Sequence, residues 1–139
     1  MGIMMKWVFV GIFMAMGCAP QMDGTPTNAY DQYLVDFNQD LEALGYPRID
    51  FSQTIIFQND TLEVDGRCHS ISVRKSGPAF ISFGKRMKSY NEKQTMLMVF
   101  HELGHCFLGA QHTDTPRKIM NPTPIQPFTY AELNDESFR

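Results

Sequence analysis

Apolar and polar positions along the chain change their period several times, and each change marks an element. Trp7 to Met16 is an unbroken apolar run that ends at Gly17-Cys18. Behind the short head Met1–Lys6, a run of this length suits the core of a secretory signal and is too short for a permanent bilayer-spanning helix. Ala19 to Pro26 is polar, holds Pro and Gly, and shows no periodicity, so it reads as a tether. From Thr27 the pattern becomes helical: Tyr30, Tyr33, Leu34, Phe37, Leu41 and Leu44 recur at steps of three and four and form one apolar stripe. Thr27 or Asn28 can cap this helix, and Gly45 with Pro47 close behind ends it.

The middle of the chain reads as sheet. Thr54–Phe57, Cys68–Val73 and Ala79–Phe83 are rich in β-branched and aromatic residues, and Asn59-Asp60, Asp65-Gly66 and Gly77-Pro78 punctuate them as turns. Ile71 and Val73 alternate with Ser70 and Ser72, which gives that strand one wet face. Ser89 and Glu92 have capping-box spacing and open a second helix that runs to about Leu108. Apolar residues nearly encircle it, as expected of a helix at the centre of a domain. A polar loop, the prolines Pro122, Pro124 and Pro127, and a short terminal helix capped by Thr129 with Glu132 follow. The order predicts a small α+β domain: an N-terminal helix, a short twisted sheet, mostly antiparallel or mixed, a central helix, and a short C-terminal helix.

Length and charge narrow the possibilities. In 139 residues the expected divisions are a signal peptide over 1–17, a lipidated N-terminus and tether over 18–26, and one domain over 27–139. The net charge is −3, and Lys85-Arg86-Met87-Lys88 is the only basic cluster, read as a solvated loop. Nucleic-acid binding, which wants a broad basic surface, is not expected. Cys18 behind Gly17 resembles the lipidated cysteine of bacterial lipoproteins, although Ala15 and Met16 depart from the usual lipobox. The resemblance implies a protein held at the cell envelope by a lipid on Cys18, and a monomer is expected; cleavage by an ordinary signal peptidase, giving a freely secreted protein, and an uncleaved anchor are the alternatives. Cys68 and Cys106 are then an even pair, and in an oxidising compartment they are expected to form a disulfide contributing roughly 3–4 kcal/mol. His69 stands outside any ligand spacing and reads as a satisfied polar residue.

Candidate chemistry lies in the second helix. His101-Glu102-Leu103-Gly104-His105 is an H-E-x-x-H motif. Histidines four apart share a helix face, so both imidazoles reach one zinc ion, while Glu102 sits about 100° further round, placed as a general base rather than a ligand. Catalytic zinc takes three protein ligands. His112 is the leading third; Glu132 or Glu136 from the terminal helix, or Asp114, are the alternatives.

With His112 as third ligand, and with Met120 in Ile119-Met120-Asn121-Pro122, the segment resembles the metzincin zinc endopeptidases, whose H-E-x-x-H-x-x-G-x-x-H motif precedes a Met-turn. Gly109-Ala110-Gln111-His112 keeps the internal G-x-x-H spacing, but Leu108 stands where the family has Gly, so Gly109 and His112 fall one residue late. One extra helical residue turns the exit by about 100°, so the turn must differ in detail. The resemblance covers roughly Glu92 to Pro122. It implies a zincin-like fold, one catalytic zinc, and hydrolysis of peptide or protein substrates with Glu102 as base. It also implies that the strand Ala79–Phe83 offers a free edge to an extended peptide and that Asn121–Phe128 walls a specificity pocket. Latency through an inhibitory prosegment is not expected. The alternative function is a non-catalytic envelope binding module that zinc stabilises.

Overall fold

The structure, a computed structural model, describes residues 23–69, 78–114 and 119–122. The signal segment, Cys18, Ser70–Val73, Pro124, Phe128, Thr129, Glu132 and Glu136 lie outside the described residues.

Helix α1 spans Asp31–Ala43 and buries Phe37 and Leu41 of the expected stripe, with Tyr30 buried just before it. It starts later than the cap residues predict. Thr27 donates its backbone N–H to Ile56 O and its hydroxyl oxygen accepts from Ala29 N–H, so it belongs to the sheet and the turn, not to the helix. Tyr30 occupies the cap position with no side-chain cap, and Asp31 in the first turn complements the helix dipole. Gly45, at φ +81°, ends the helix in the left-handed region that favours glycine. Buried Asn38 then latches the following loop: its amide donates to Ile49 O at 2.9 Å and its carbonyl accepts from Ile49 N–H at 2.8 Å.

Among the described residues four strands form one mixed sheet in the order β1-β2-β4-β3, with β1 at Thr25–Pro26, β2 at Thr54–Asn59, β3 at Gly66–Cys68 and β4 at Ala79–Gly84. β2 and β4 pair in parallel, Ile56 opposite Ile81, while β1 and β3 are antiparallel to their neighbours. Pro26, which lacks an N–H, sits on an edge strand where that costs least. β2 runs two residues past its apolar core because Gln58 is fully used: it accepts from the Tyr30 hydroxyl and donates to Gly84 O and Asp60. The expected turn at Asp65-Gly66 gives way to a strand start, with Gly66 opposite Phe83. β4 is an inner strand paired on both sides, so the free edge assigned to Ala79–Phe83 is corrected; among the described residues β3 ends the sheet instead.

Lys85–Ser89, expected as a loop, forms a 3₁₀ turn that buries Met87 and leaves its charges exposed. Arg86 pairs with Asp65 and Lys88 with Asp60, each at 2.6 Å. The capping box is also corrected. Tyr90 stays extended, which places Asn91 at the cap, and Asn91 and Gln94 exchange side-chain and backbone hydrogen bonds at 3.0 Å. Ser89 donates to Arg86 O instead.

Helix α2, Glu92–Leu103, crosses the middle of the fold between α1 and the sheet, and Met96, Leu97, Val99, Phe100, His101, Glu102 and Leu103 are all buried. Phe100 meets Phe37 of α1 edge-on with centroids 5.0 Å apart. Phe37, Leu41, Ile81, Phe83, Val99, Phe100 and Leu103 are fully enclosed, and burial of each stabilises the domain by about 1.5–3 kcal/mol. A rigid core therefore lies directly beneath the last turn of α2.

Candidate metal centre

The last turn of α2 carries His101, and a π turn, Gly104–Leu108, carries His105. Each ring is aimed by a backbone carbonyl: His101 Nδ1 lies 2.6 Å from Ile119 O and His105 Nδ1 lies 2.7 Å from Ala110 O. A carbonyl only accepts, so in each neutral ring Nδ1 holds the proton and Nε2 presents a lone pair. Those lone pairs converge. His101 Nε2 is 3.1 Å from His105 Nε2 and 3.2 Å from His112 Nε2. The three histidines each offer a ring nitrogen within 4.8 Å of the others, so they can hold one metal ion.

The spacing fits such an ion. A tetrahedral centre with metal–nitrogen bonds of 2.0–2.1 Å holds its nitrogens roughly 3.3–3.4 Å apart. Without a cation the facing lone pairs would repel. Burial, with smaller contributions from the neighbouring histidines and against the Ile119 hydrogen bond, pushes His101 down to about 4. Burial also lowers His105. The rings are thus poor homes for a proton and good ones for a metal.

His112 reaches the cluster from outside the helix, and the π turn explains how. Its i→i+5 bonding takes up one more residue per turn than an α-helix. Gly109 N–H bonds to Gly104 O, Gly109 adopts φ +63°, and Ala110 N–H also bonds to Gly104 O at 3.1 Å. The wider turn takes up an extra residue inside the helix end, and the chain still doubles back to bring His112 to the cluster. Ile119 and Met120, both buried, close the floor. Ile119 O aims His101, and Met120 O accepts from Thr113 N–H at 3.0 Å, beside His112. Met120 rests against Gly104, where a Cβ would come within 2.7 Å of its sulfur.

Glu102 lies on another face of α2, 4% exposed, with the Cys68 N–H close to its carboxyl. Burial pushes its carboxyl up to about 7, against the Cys68 N–H and the charge of Arg67. β3, which supplies that N–H, is bound to the π turn by the Cys68–Cys106 disulfide, Cα atoms 5.6 Å apart. The expected cysteine pairing is therefore present.

Among the described residues the cluster contains His101, His105 and His112; Asp114 is exposed and does not join it. His69 is a satisfied polar residue, with Nε2 2.9 Å from Ser82 Oγ. Sequence reasoning missed a support behind β3: the Tyr90 hydroxyl donates to Asp65 at 2.7 Å, Arg86 pairs with the same carboxylate, and Gly84 N–H bonds to Asp65 O. No signal in the sequence links these distant residues. Comparison with protein-family models, with curated proteins and with solved structures yields no match.

Proposed function

We propose that this protein is a zinc-dependent endopeptidase of metzincin-like type, lipid-anchored at the cell envelope through Cys18. The observation that carries the reading is the convergence of His101, His105 and His112 on one point, with buried Glu102 next in sequence. Three imidazoles are the ligand set of catalytic rather than structural zinc, which favours closed, cysteine-rich sets. Bound zinc would supply Lewis acidity to polarise a scissile carbonyl.

The protein's own part is proton handling and placement. Glu102, buried and pushed up to about 7, takes a proton from the attacking water and passes it to the leaving amine. An extended peptide aligns along β3, the terminal strand of the sheet, by adding a further strand. Asn121 begins the wall of a pocket for the residue after the cut.

The test pairs metal analysis with turnover of a peptide library. Purified protein should carry one zinc per chain; Glu102→Gln should keep the zinc and lose activity by on the order of 10²–10⁴-fold. His112→Ala should lose both. Zinc-loaded wild type that turns over no peptide would refute the enzyme reading and favour a zinc-stabilised binding module.

A further inference from the structure

We infer that Gly66 is the positioning residue for Glu102, an inference that rests on the catalytic reading of Glu102 above. A Cβ built on Gly66 would lie 2.7 Å from Glu102 Cγ, 2.7 Å from its Oε1 and 3.0 Å from its Cδ. Ordinary van der Waals contact begins near 3.4 Å, so no side chain fits there while the carboxylate keeps its place.

Backbone conformation does not account for this glycine. Among the described residues the positive-φ glycines are Gly24, Gly45 and Gly109, and Gly66 is not one of them. Glycine inside a strand is less stable than alanine there. Close approach of the strand to the Glu102 side chain is what the missing Cβ provides.

Strand and helix are both fixed, so the Glu102 side chain is what must move. Gly66 and Cys68 are registered against Phe83 and Ile81, the disulfide binds Cys68 to the π turn, and Tyr90 and Arg86 hold Asp65. On the other side, Glu102 sits on a helix whose neighbours Phe100 and Leu103 are wholly buried. Gly66 thus leaves the space that the stem and carboxyl of this side chain occupy, beside the Cys68 N–H. An added methyl would swing the carboxylate away from that place.

The test is a double-mutant cycle on zinc-loaded protein with Gly66→Ala, Glu102→Ala and the pair. Gly66→Ala should retain one zinc per chain, lower kcat by on the order of 10²-fold, as misplacing a catalytic group by about 1 Å does, and leave KM within about threefold. It should lower Tm in the Glu102 background but not in the Glu102→Ala background, where the atoms it meets are gone. Should Gly66→Ala fail to fold, recovery of folding in the double variant supports the inference, and failure of both overturns it. Equal Tm losses in both backgrounds, or an unchanged kcat, also overturn it. If wild type shows no peptidase activity, the enzyme reading fails, and the Tm cycle still decides whether Gly66 holds Glu102.

Discussion

Removing the Cys68–Cys106 bond should damage stability and the metal centre together, because the bond joins β3 to the turn that carries His105. The two cysteines are 38 residues apart in sequence. Chain-entropy reasoning for a loop of that length gives about 13 cal/mol/K, or about 4 kcal/mol at 25 °C. For a domain of this size, each kcal/mol moves Tm by about 4–8 °C, so Cys68→Ala/Cys106→Ala should melt roughly 15–30 °C lower than wild type. Zinc affinity should also fall on the order of tenfold, as when supports behind metal ligands are lost. Thermal unfolding of wild type with and without reductant, beside the double variant, gives the first quantity; competition with a chromophoric chelator gives the second. Peptide mass spectrometry after alkylation under native, non-reducing conditions checks the premise. Alkylation of Cys68 and Cys106 there, or a Tm loss under about 5 °C, would refute the reasoning.

Chelation should lower Tm, and zinc titration should raise it with the logarithm of free metal, by about 2.7 kcal/mol at a hundredfold excess over Kd. A His112→Ala protein should lose most of that response in differential scanning fluorimetry, and a metal-independent Tm would contradict the site. Phe100→Ala empties a fully enclosed position against Phe37 and should cost about 3–5 kcal/mol by urea unfolding; a loss below about 1 kcal/mol would show that the core is packed differently. Tyr90 is pushed up to about 12 by burial, and secondarily by its hydrogen bond to Asp65. Its folded pKa exceeds the unfolded value near 10, so its stabilisation is complete below pH 10 and declines as pH rises toward 12. Tyr90→Phe should flatten that alkaline decline in urea midpoints, and an unchanged slope would count against the Tyr90–Asp65 bond.

Much of this was readable from periodicity. The stripe from Tyr30 to Leu41 and the all-round apolar pattern of α2 gave both helices, because each reflects burial that depends only on position along a regular element. The three histidines were readable because ligation demands particular residue types at short range. The disulfide followed from counting cysteines. What escaped was set by contacts between distant segments. Gln58 extends β2 because Tyr30 and Gly84 are there to receive it. Asn91 rather than Ser89 caps α2 because the preceding 3₁₀ turn takes Ser89 for itself. β4 is internal because β3, three residues long and begun by a glycine, pairs on its far side. A glycine reads locally as a turn, and its role against Glu102 exists only once α2 lies beside it.

The π turn at Gly104–Leu108 separates two things that a sequence motif treats as one: the count of residues between ligands and the distance the chain must travel. Widening a single turn takes up a residue with little added path, and the third histidine still reaches the cluster. Ligand spacing in such a centre is then a property of helix winding and tolerates insertion. A pattern written with a variable gap before the glycine describes the chemistry better than one with a fixed gap.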